Sequence, residues 1–249
     1  MKTIILAAGY GTRLYPLTLN KPKALLDVGG KTILERVLEK VFELQDCDAI
    51  YIVSNEKFYK SLADWVKGIS AKVKIEVFDD GTTSNEDRLG AIGDINFVVK
   101  KAKINDDCLV LGSDNIFDFD LKNFIKFAKS KSPHASLALF DIKNIEKASL
   151  YGIAVMKEKG EEVIDFQEKP KEPKSTLAAT AIYYYPKEKV SLLEEYMKGA
   201  MTKDAPGNFI KWLRLSEAVY GYVFRENWYD IGDKESLKQA DEEFKRRGK

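Results

Sequence analysis

The sequence predicts an α/β protein with a mostly parallel central sheet, helices on both faces and a smaller β-rich lobe. Three observations carry this prediction. Apolar runs alternate with helical periods through the first half of the chain, the β-α-β-α rhythm of a parallel sheet. From about residue 135 the rhythm changes to strands separated only by turns. The first strand runs straight into a small glycine-bearing loop.

Taken in order, Ile4–Leu6 is the first strand. Thr32 is placed to cap a helix whose apolar positions Ile33, Val37, Leu38, Val41, Phe42 and Leu44 keep a helical period. Ala49–Val53 reads as a strand, Phe58–Val66 as a helix and Val73–Phe78 as an alternating strand. Leu89, Ile92, Ile95, Val98 and Val99 mark a third helix. Cys108–Leu111 is a short buried strand and Leu121–Phe127 a further helix. Ser136–Phe140, Gly152–Met156, Val163–Gln167 and Ala178–Tyr185 read as strands. Helix returns at Val190–Met197 and from Glu235 to near the end. The whole, residues 1–249, reads as one domain with two lobes.

Composition narrows the function. The 249 residues are 45% hydrophobic, enough for a substantial core, and 40 basic against 39 acidic residues leave a net charge of +1. Nucleic-acid binders usually carry a clear basic excess, so no nucleic-acid partner is expected. No apolar stretch approaches the ~18 residues of a membrane span. The chain opens directly on a strand with no leader pattern, so a cytoplasmic protein without a membrane partner is expected. Two cysteines, Cys47 and Cys108, and the single His134 do not make a usual zinc site.

The loop after the first strand carries the chemistry. Leu6, Ala7, Ala8, Gly9, Gly11 and Thr12 form a stretch with little side-chain bulk, followed by Arg13 and, after Pro22, by Lys23. Glycines let backbone N–H groups turn toward phosphate oxygens, and the two cations add charge where phosphoryl chemistry accumulates the opposite sign. Neither dinucleotide nor Walker spacing is met. Leu14 stands where a third glycine belongs, and no Gly-Lys-Ser/Thr follows. A second motif, Leu109-Val110-Leu111-Gly112-Ser113-Asp114-Asn115-Ile116-Phe117, sets Asp114 after a strand, where it suits either Mg²⁺ or a tight turn.

The run Ala7-Ala8-Gly9-x-Gly11-Thr12-Arg13-Leu14-x-Pro16-Leu17-Thr18, then Pro22-Lys23, resembles the motif of the sugar-phosphate nucleotidylyltransferases (NDP-sugar pyrophosphorylases). The resemblance implies a Rossmann-like fold of the nucleotide-diphospho-sugar transferase type. Residues of about 1–134 would be the nucleotide-binding half, and about 135–249 the sugar-phosphate-binding half with closing helices. It implies transfer of a nucleoside monophosphate from an NTP to a sugar 1-phosphate, with Mg²⁺ as cofactor and NTP and sugar 1-phosphate as partners; a homo-oligomer is compatible with it. Arg13, Lys23 and Asp114 would be catalytic. Trp228-Tyr229-Asp230-Ile231-Gly232 is similar to the family segment whose Asp is the second metal ligand, so Asp230 would join Asp114. Asp233, where the family usually has Thr, reads as a helix cap. Tyr151-Gly152, Glu168-Lys169 and Thr180 would meet the sugar phosphate. Gly90 would stand for a base-binding glycine.

Two departures qualify the likeness. The segment Asp80 to Ala91 lacks the Gln and Pro that uridine- and thymidine-using members carry, and Thr82 to Asn85 read either as base contacts or as a helix cap. The family's Thr-Gly-Leu-Tyr is Thr180-Ala181-Ile182-Tyr183 here, an added methyl beside the sugar. Alternatives are a cytidylyltransferase for another acceptor, such as phosphocholine or an inositol phosphate, a non-catalytic nucleotide-binding module, and a dehydrogenase. His134 reads as structural or exposed, Tyr183 to Tyr185 as strand core, and the basic end (Lys245 to Lys249) as a solvated helix terminus complementing the dipole.

Overall fold

Alternating apolar runs and helical periods resolve, in the computed structural model, into the following elements in chain order. β1 is Lys2–Leu6, followed by single 3-10 turns at Thr12–Leu14 and Lys23–Leu25. Next come β2 (Asp27–Val28), β3 (Lys31–Thr32), α1 (Ile33–Phe42), β4 (Ala49–Ser54), α2 (Glu56–Lys67), β5 (Lys74–Asp79) and α3 (Ala91–Lys101). Then follow β6 (Cys108–Gly112), β7 (Asn115–Phe117), α4 (Leu121–Ser130), β8 (Ala135–Asp141), α5 (Ile145–Ala148), β9 (Gly152–Met156), β10 (Val163–Glu168) and β11 (Leu177–Tyr185). The chain finishes with α6 (Lys187–Ser191), α7 (Leu193–Gly199), α8 (Gly207–Leu213), β12 (Val219–Phe224), β13 (Trp228–Asp230) and α9 (Lys234–Arg247). The structure describes residues 1–199 and 202–248, so Lys249 of the basic terminus lies outside the described residues. The fold is a mixed sheet with mostly parallel central strands and helices.

Two compact units share the chain. Residues 1–88, 111–118 and 227 onward make the first; residues 89–110 and 119–226 make the second. The division is interleaved rather than a single cut near residue 134.

In the first unit β1, β4 and β5 run parallel, with Ile5 opposite Ile52 and Ile52 opposite Val77. Ile4, Ile5, Ile50 and Ile52 are fully buried, as parallel strands covered on both faces require. Thr32 caps α1, its Oγ1 accepting from the Glu35 N–H at 3.1 Å. Asn55 caps α2 in the same way through Phe58 at 3.0 Å. Each such cap is worth about 1 kcal/mol. β7 and β13 form a separate two-stranded antiparallel ladder. α9 begins with a capping box between Asp233 and Ser236, which meets the expectation that Asp233 caps. It is then clamped: Gly29 N–H donates to Asp241 at 2.8 Å, and the Arg36 guanidinium lies 4.0 Å from the Phe244 ring centre.

In the second unit β10, β9, β11 and β8 are successive antiparallel neighbours, and β12 adds to β8 in parallel. The register of β11 on β8 shifts between Ala179 and Tyr183, which makes a bulge at Thr180–Ile182. Tyr183, Tyr184 and Tyr185 are buried, so they belong to the strand core.

Several elements depart from expectation. The helix expected at Val190–Met197 is two, α6 and α7, broken at Leu192. β12 is a strand of alternating Val-Tyr-Gly-Tyr-Val-Phe, outside the strands expected. α8 fills the stretch around Phe209–Trp212. β7 and β13 are three residues each, too short to show a period, and exist because they pair with one another.

Candidate active site

The loop after β1 is fixed from beneath and open above. Ala7 N–H donates to the Val53 carbonyl at 2.9 Å, and Ser113 N–H donates to the Leu6 carbonyl at 3.1 Å. Buried Asn55, besides capping α2, donates to the Ala8 carbonyl at 2.8 Å. Tyr10 is buried, and its hydroxyl donates to the Thr82 carbonyl at 2.9 Å. Gly9 is exposed, with open space where a side chain would stand. Gly11 takes φ +62°, which admits glycine without strain, and starts the turn that carries Thr12 and Arg13, both exposed. The Thr18 hydroxyl donates to the Gly11 carbonyl at 2.7 Å and holds that turn shut.

Four charged residues of the first unit converge beside this loop. In the β7–β13 ladder Asp230 pairs with Asn115, and Ile231 N–H donates to the Asp114 carbonyl at 2.9 Å. Two aspartates remote in sequence thereby become neighbours. Lys23 Nζ lies 2.8 Å from Asp114 Oδ2. Gly232 brings in Arg13: a methyl added there would stand 3.6 Å from both Asp230 Oδ2 and an Arg13 guanidinium nitrogen. One apolar cluster sets all four. Leu14, Leu26, Ile116 and Ile231 sit together with Val28, Ile33 and Ala240. Each of the first four lies within three residues of Arg13, Lys23, Asp114 or Asp230 respectively.

The electrostatics of the two aspartates differ. Burial, then the neighbouring Asp114 charge, push the Asp230 carboxyl up to about 6 despite Lys23 and Arg13. Burial would raise Asp114 as well, but the Lys23 charge and hydrogen bond hold it below its ordinary value. Two adjacent carboxylates with hard oxygen donors, one of them destabilised by the other, fit a divalent cation. Among the described residues no group of three or more His, Cys, Asp or Glu forms a metal cage.

The second unit gathers most of the other expected residues. Glu168 pairs with Gly152 in the β10–β9 ladder, and Lys169 N–H donates to the Tyr151 carbonyl at 3.0 Å. A Cβ on Gly152 would lie 3.0 Å from Glu168 Oε2, and one on Gly207 would lie 2.6 Å from it, so two glycines make room for this carboxylate. Burial pushes the Glu168 carboxyl up, and Lys169 opposes the shift. Lys169 and Ala181 both have positive φ, +43° and +56°.

Thr180 is engaged within the sheet. It is fully buried, and its hydroxyl donates to the Ala138 carbonyl at 3.1 Å. The β11 register shift falls at this residue, and its hydroxyl is spent on the β8 backbone. Gly90 is held by backbone packing. It is buried at φ +78° against the Lys203–Asp204 backbone, and the amides of Ala91 and Ile92 already donate to the carbonyls of those two residues. Close backbone packing requires that glycine. The Thr82 to Asn85 stretch does not cap α3, whose cap is Gly90. Thr83 and Ser84 instead direct their N–H and hydroxyl groups to the Asp87 carboxylate.

Two residues given no role by the sequence stand in the site. Trp228 and Asn115 connect to Asp114 by hydrogen bonds. Their signal in the sequence is membership of the motifs around the two aspartates, Asn115 directly after Asp114 and Trp228 two before Asp230.

The family model described as nucleotidyl transferase matches residues 2–247. The chain belongs to the nucleotidyl transferase family. Within it, this chain is 32% identical over 232 residues to a bifunctional protein GlmU of Methanocaldococcus jannaschii, covering 93% of this chain and 51% of that protein. It is also 32% identical over 233 residues to a putative mannose-1-phosphate guanyltransferase of Sulfolobus acidocaldarius, covering 93% of this chain and 60% of that protein. The chain thus spans half to three-fifths of the length of these relatives. A solved UDP-glucose pyrophosphorylase complexed with UDP-glucose superposes with a TM-score of 0.83 at 22% identity, over 99% of this chain and 98% of that one, which is a likeness of fold. The nucleotidyl transferase assignment agrees with the expected α/β architecture. Among the described residues no helix is long and apolar enough to cross a membrane.

Proposed function

We propose that this nucleotidyl transferase moves a nucleoside monophosphate from an NTP to a sugar 1-phosphate and releases pyrophosphate. The observation that carries the reading is the convergence of Arg13, Lys23, Asp114 and Asp230 beside the open Gly9–Gly11 loop. A relative named as a putative mannose-1-phosphate guanyltransferase supports it, and a reaction that consumes NTP fits a cytoplasmic protein.

The acceptor phosphate is already anionic near neutral pH, so no strong general base is needed. The single His134 packs against Tyr220, 5.7 Å between ring centres. What remains is positioning and charge neutralisation, as in other phosphoryl transfers. Backbone N–H groups of the loop hold triphosphate oxygens. Arg13 is exposed and neutralises the leaving pyrophosphate. Lys23, at the Asp114 carboxylate, neutralises the α-phosphate. Asp114 and Asp230 would hold Mg²⁺. When bound, that ion supplies the positive charge that screens the polyphosphate oxygens. On the second unit Glu168 takes sugar hydroxyls, and Lys169, beside Tyr151 and Gly152, takes the acceptor phosphate.

The test is pyrophosphate release, with Mg²⁺, from each of the common NTPs against several sugar 1-phosphates and alcohol phosphates. Release is expected only when an NTP and a sugar 1-phosphate are both present. Turnover confined to phosphocholine or an inositol phosphate would replace the acceptor in this reading, and silence across the grid would overturn it.

A further inference from the structure

Asp114 is held at both oxygens. Lys23 binds Oδ2 at 2.8 Å, and the Asn115 side-chain amide donates to Oδ1 at 2.7 Å. Asn115 is only 4% exposed, so water has little access to its amide. A buried amide can be reversed end for end, and reversal here would aim a carbonyl oxygen at a carboxylate. The structure contains the device that prevents this. Trp228 Nε1 lies 2.7 Å from Asn115 Oδ1. An indole N–H only donates, so it accepts just one orientation of the amide, the one that turns Nδ2 toward Asp114. The three residues are themselves brought into register by the ladder in which Trp228 pairs with Phe117 and Asp230 with Asn115.

We propose that Trp228 and Asn115 are positioning residues: the indole locks the Asn115 amide, and the amide fixes the Asp114 carboxylate for the cation that the two aspartates hold. This rests on the reading of Asp114 and Asp230 as a divalent-ion pair. Outer partners of this kind commonly change metal affinity by about 10–100-fold when removed. The same strand carries both the second aspartate and the tryptophan that orients the first, so β13 serves both carboxylates at once.

The test is a double-mutant cycle on Trp228→Phe and Asn115→Ala in the full chain. Mn²⁺ binding is read by electron paramagnetic resonance, and the Mg²⁺ dependence of pyrophosphate release is read in parallel. Trp228→Phe should keep the wild-type circular dichroism and weaken Mn²⁺ binding by about tenfold or more, with a matching rise in half-saturating Mg²⁺. Because the indole acts through the amide, the double variant should lose no more than Asn115→Ala alone. Wild-type cation affinity in Trp228→Phe, or losses that simply add, would overturn the relay. Should Trp228→Phe fail to fold, Asn115→Ala carries the test by itself, and unchanged Mn²⁺ affinity there has the same force. A wild-type protein that binds Mn²⁺ but releases no pyrophosphate from any substrate pair points to failure of the proposed reaction, and the cycle still reads the relay.

Discussion

Asp114 and Asp230 carry the same functional group and sit in opposite electrostatic states, because Lys23 and Asn115 bond to one while the other is buried against it. Such a pair is costly without a cation and well suited to one. Arg13 contributes differently: it is exposed, touches the site over Gly232, and is free to follow a polyphosphate. Removing either group should leave the fold intact and slow the reaction. Asp114→Ala and Arg13→Ala are each expected to lose at least about two orders of magnitude in pyrophosphate release, near 3 kcal/mol of barrier. Turnover close to wild type in either would remove that residue from the site. Gly207 offers a third check at this scale. A methyl there would run into Phe166 and the Glu168 carboxylate, so Gly207→Ala should raise the KM for the sugar phosphate more than that for the NTP.

The β7–β13 ladder, the β11 bulge and the α9 clamp are the elements that turn sequence into geometry. Ile231 is fully buried in the cluster that seats the ladder, and Ile231→Ala should cost about 3 kcal/mol in chemical denaturation. The bulge holds Ala181 at φ +56°, a left-handed conformation that costs an alanine about 1–2 kcal/mol. Glycine would remove that strain at an entropic cost of about 0.5–1 kcal/mol. Ala181→Gly is therefore expected to stabilise the protein by up to about 1 kcal/mol, read as a rise in Tm; a fall would mean that the methyl packs productively. On β10 the Lys174 hydrogen bond at 3.0 Å, working against burial, holds the Asp165 carboxyl below its ordinary value. A lowered folded-state value gives stability that is fully present above the unfolded-state value, about 3.9, and is lost as pH falls through the folded one. Wild type should accordingly exceed Asp165→Asn in stability at neutral pH, and the gap should close below about pH 3.

For the molecule as a whole, the central expectation is dependence on a divalent ion: chelation should abolish pyrophosphate release and Mg²⁺ should restore it. Much of the architecture was legible beforehand. The helices over Ile33–Phe42 and Glu56–Lys67 and the strands over Ala49–Ser54 and Gly152–Met156 follow from apolar spacing and side-chain caps, which are local. The loop glycines, both cations and both aspartates stand out in the sequence because their residue types suit phosphate and metal chemistry. What spacing does not encode is which distant segments meet. β7 and β13 are strands only because each supplies the other's partner, and that pairing alone makes neighbours of Asp114 and Asp230 and threads Trp228 to Asn115. Thr180 and Gly90 show the same dependence: a carbonyl on β8 and the Lys203–Asp204 backbone engage them, which their residue types do not announce. The sequence by itself determined the inventory of elements and reactive groups, because propensity, periodicity and charge are properties of short stretches. Only the tertiary structure decided which groups share a site and which are spent on the backbone, because those outcomes depend on hydrogen bonds and close packing between segments far apart along the chain.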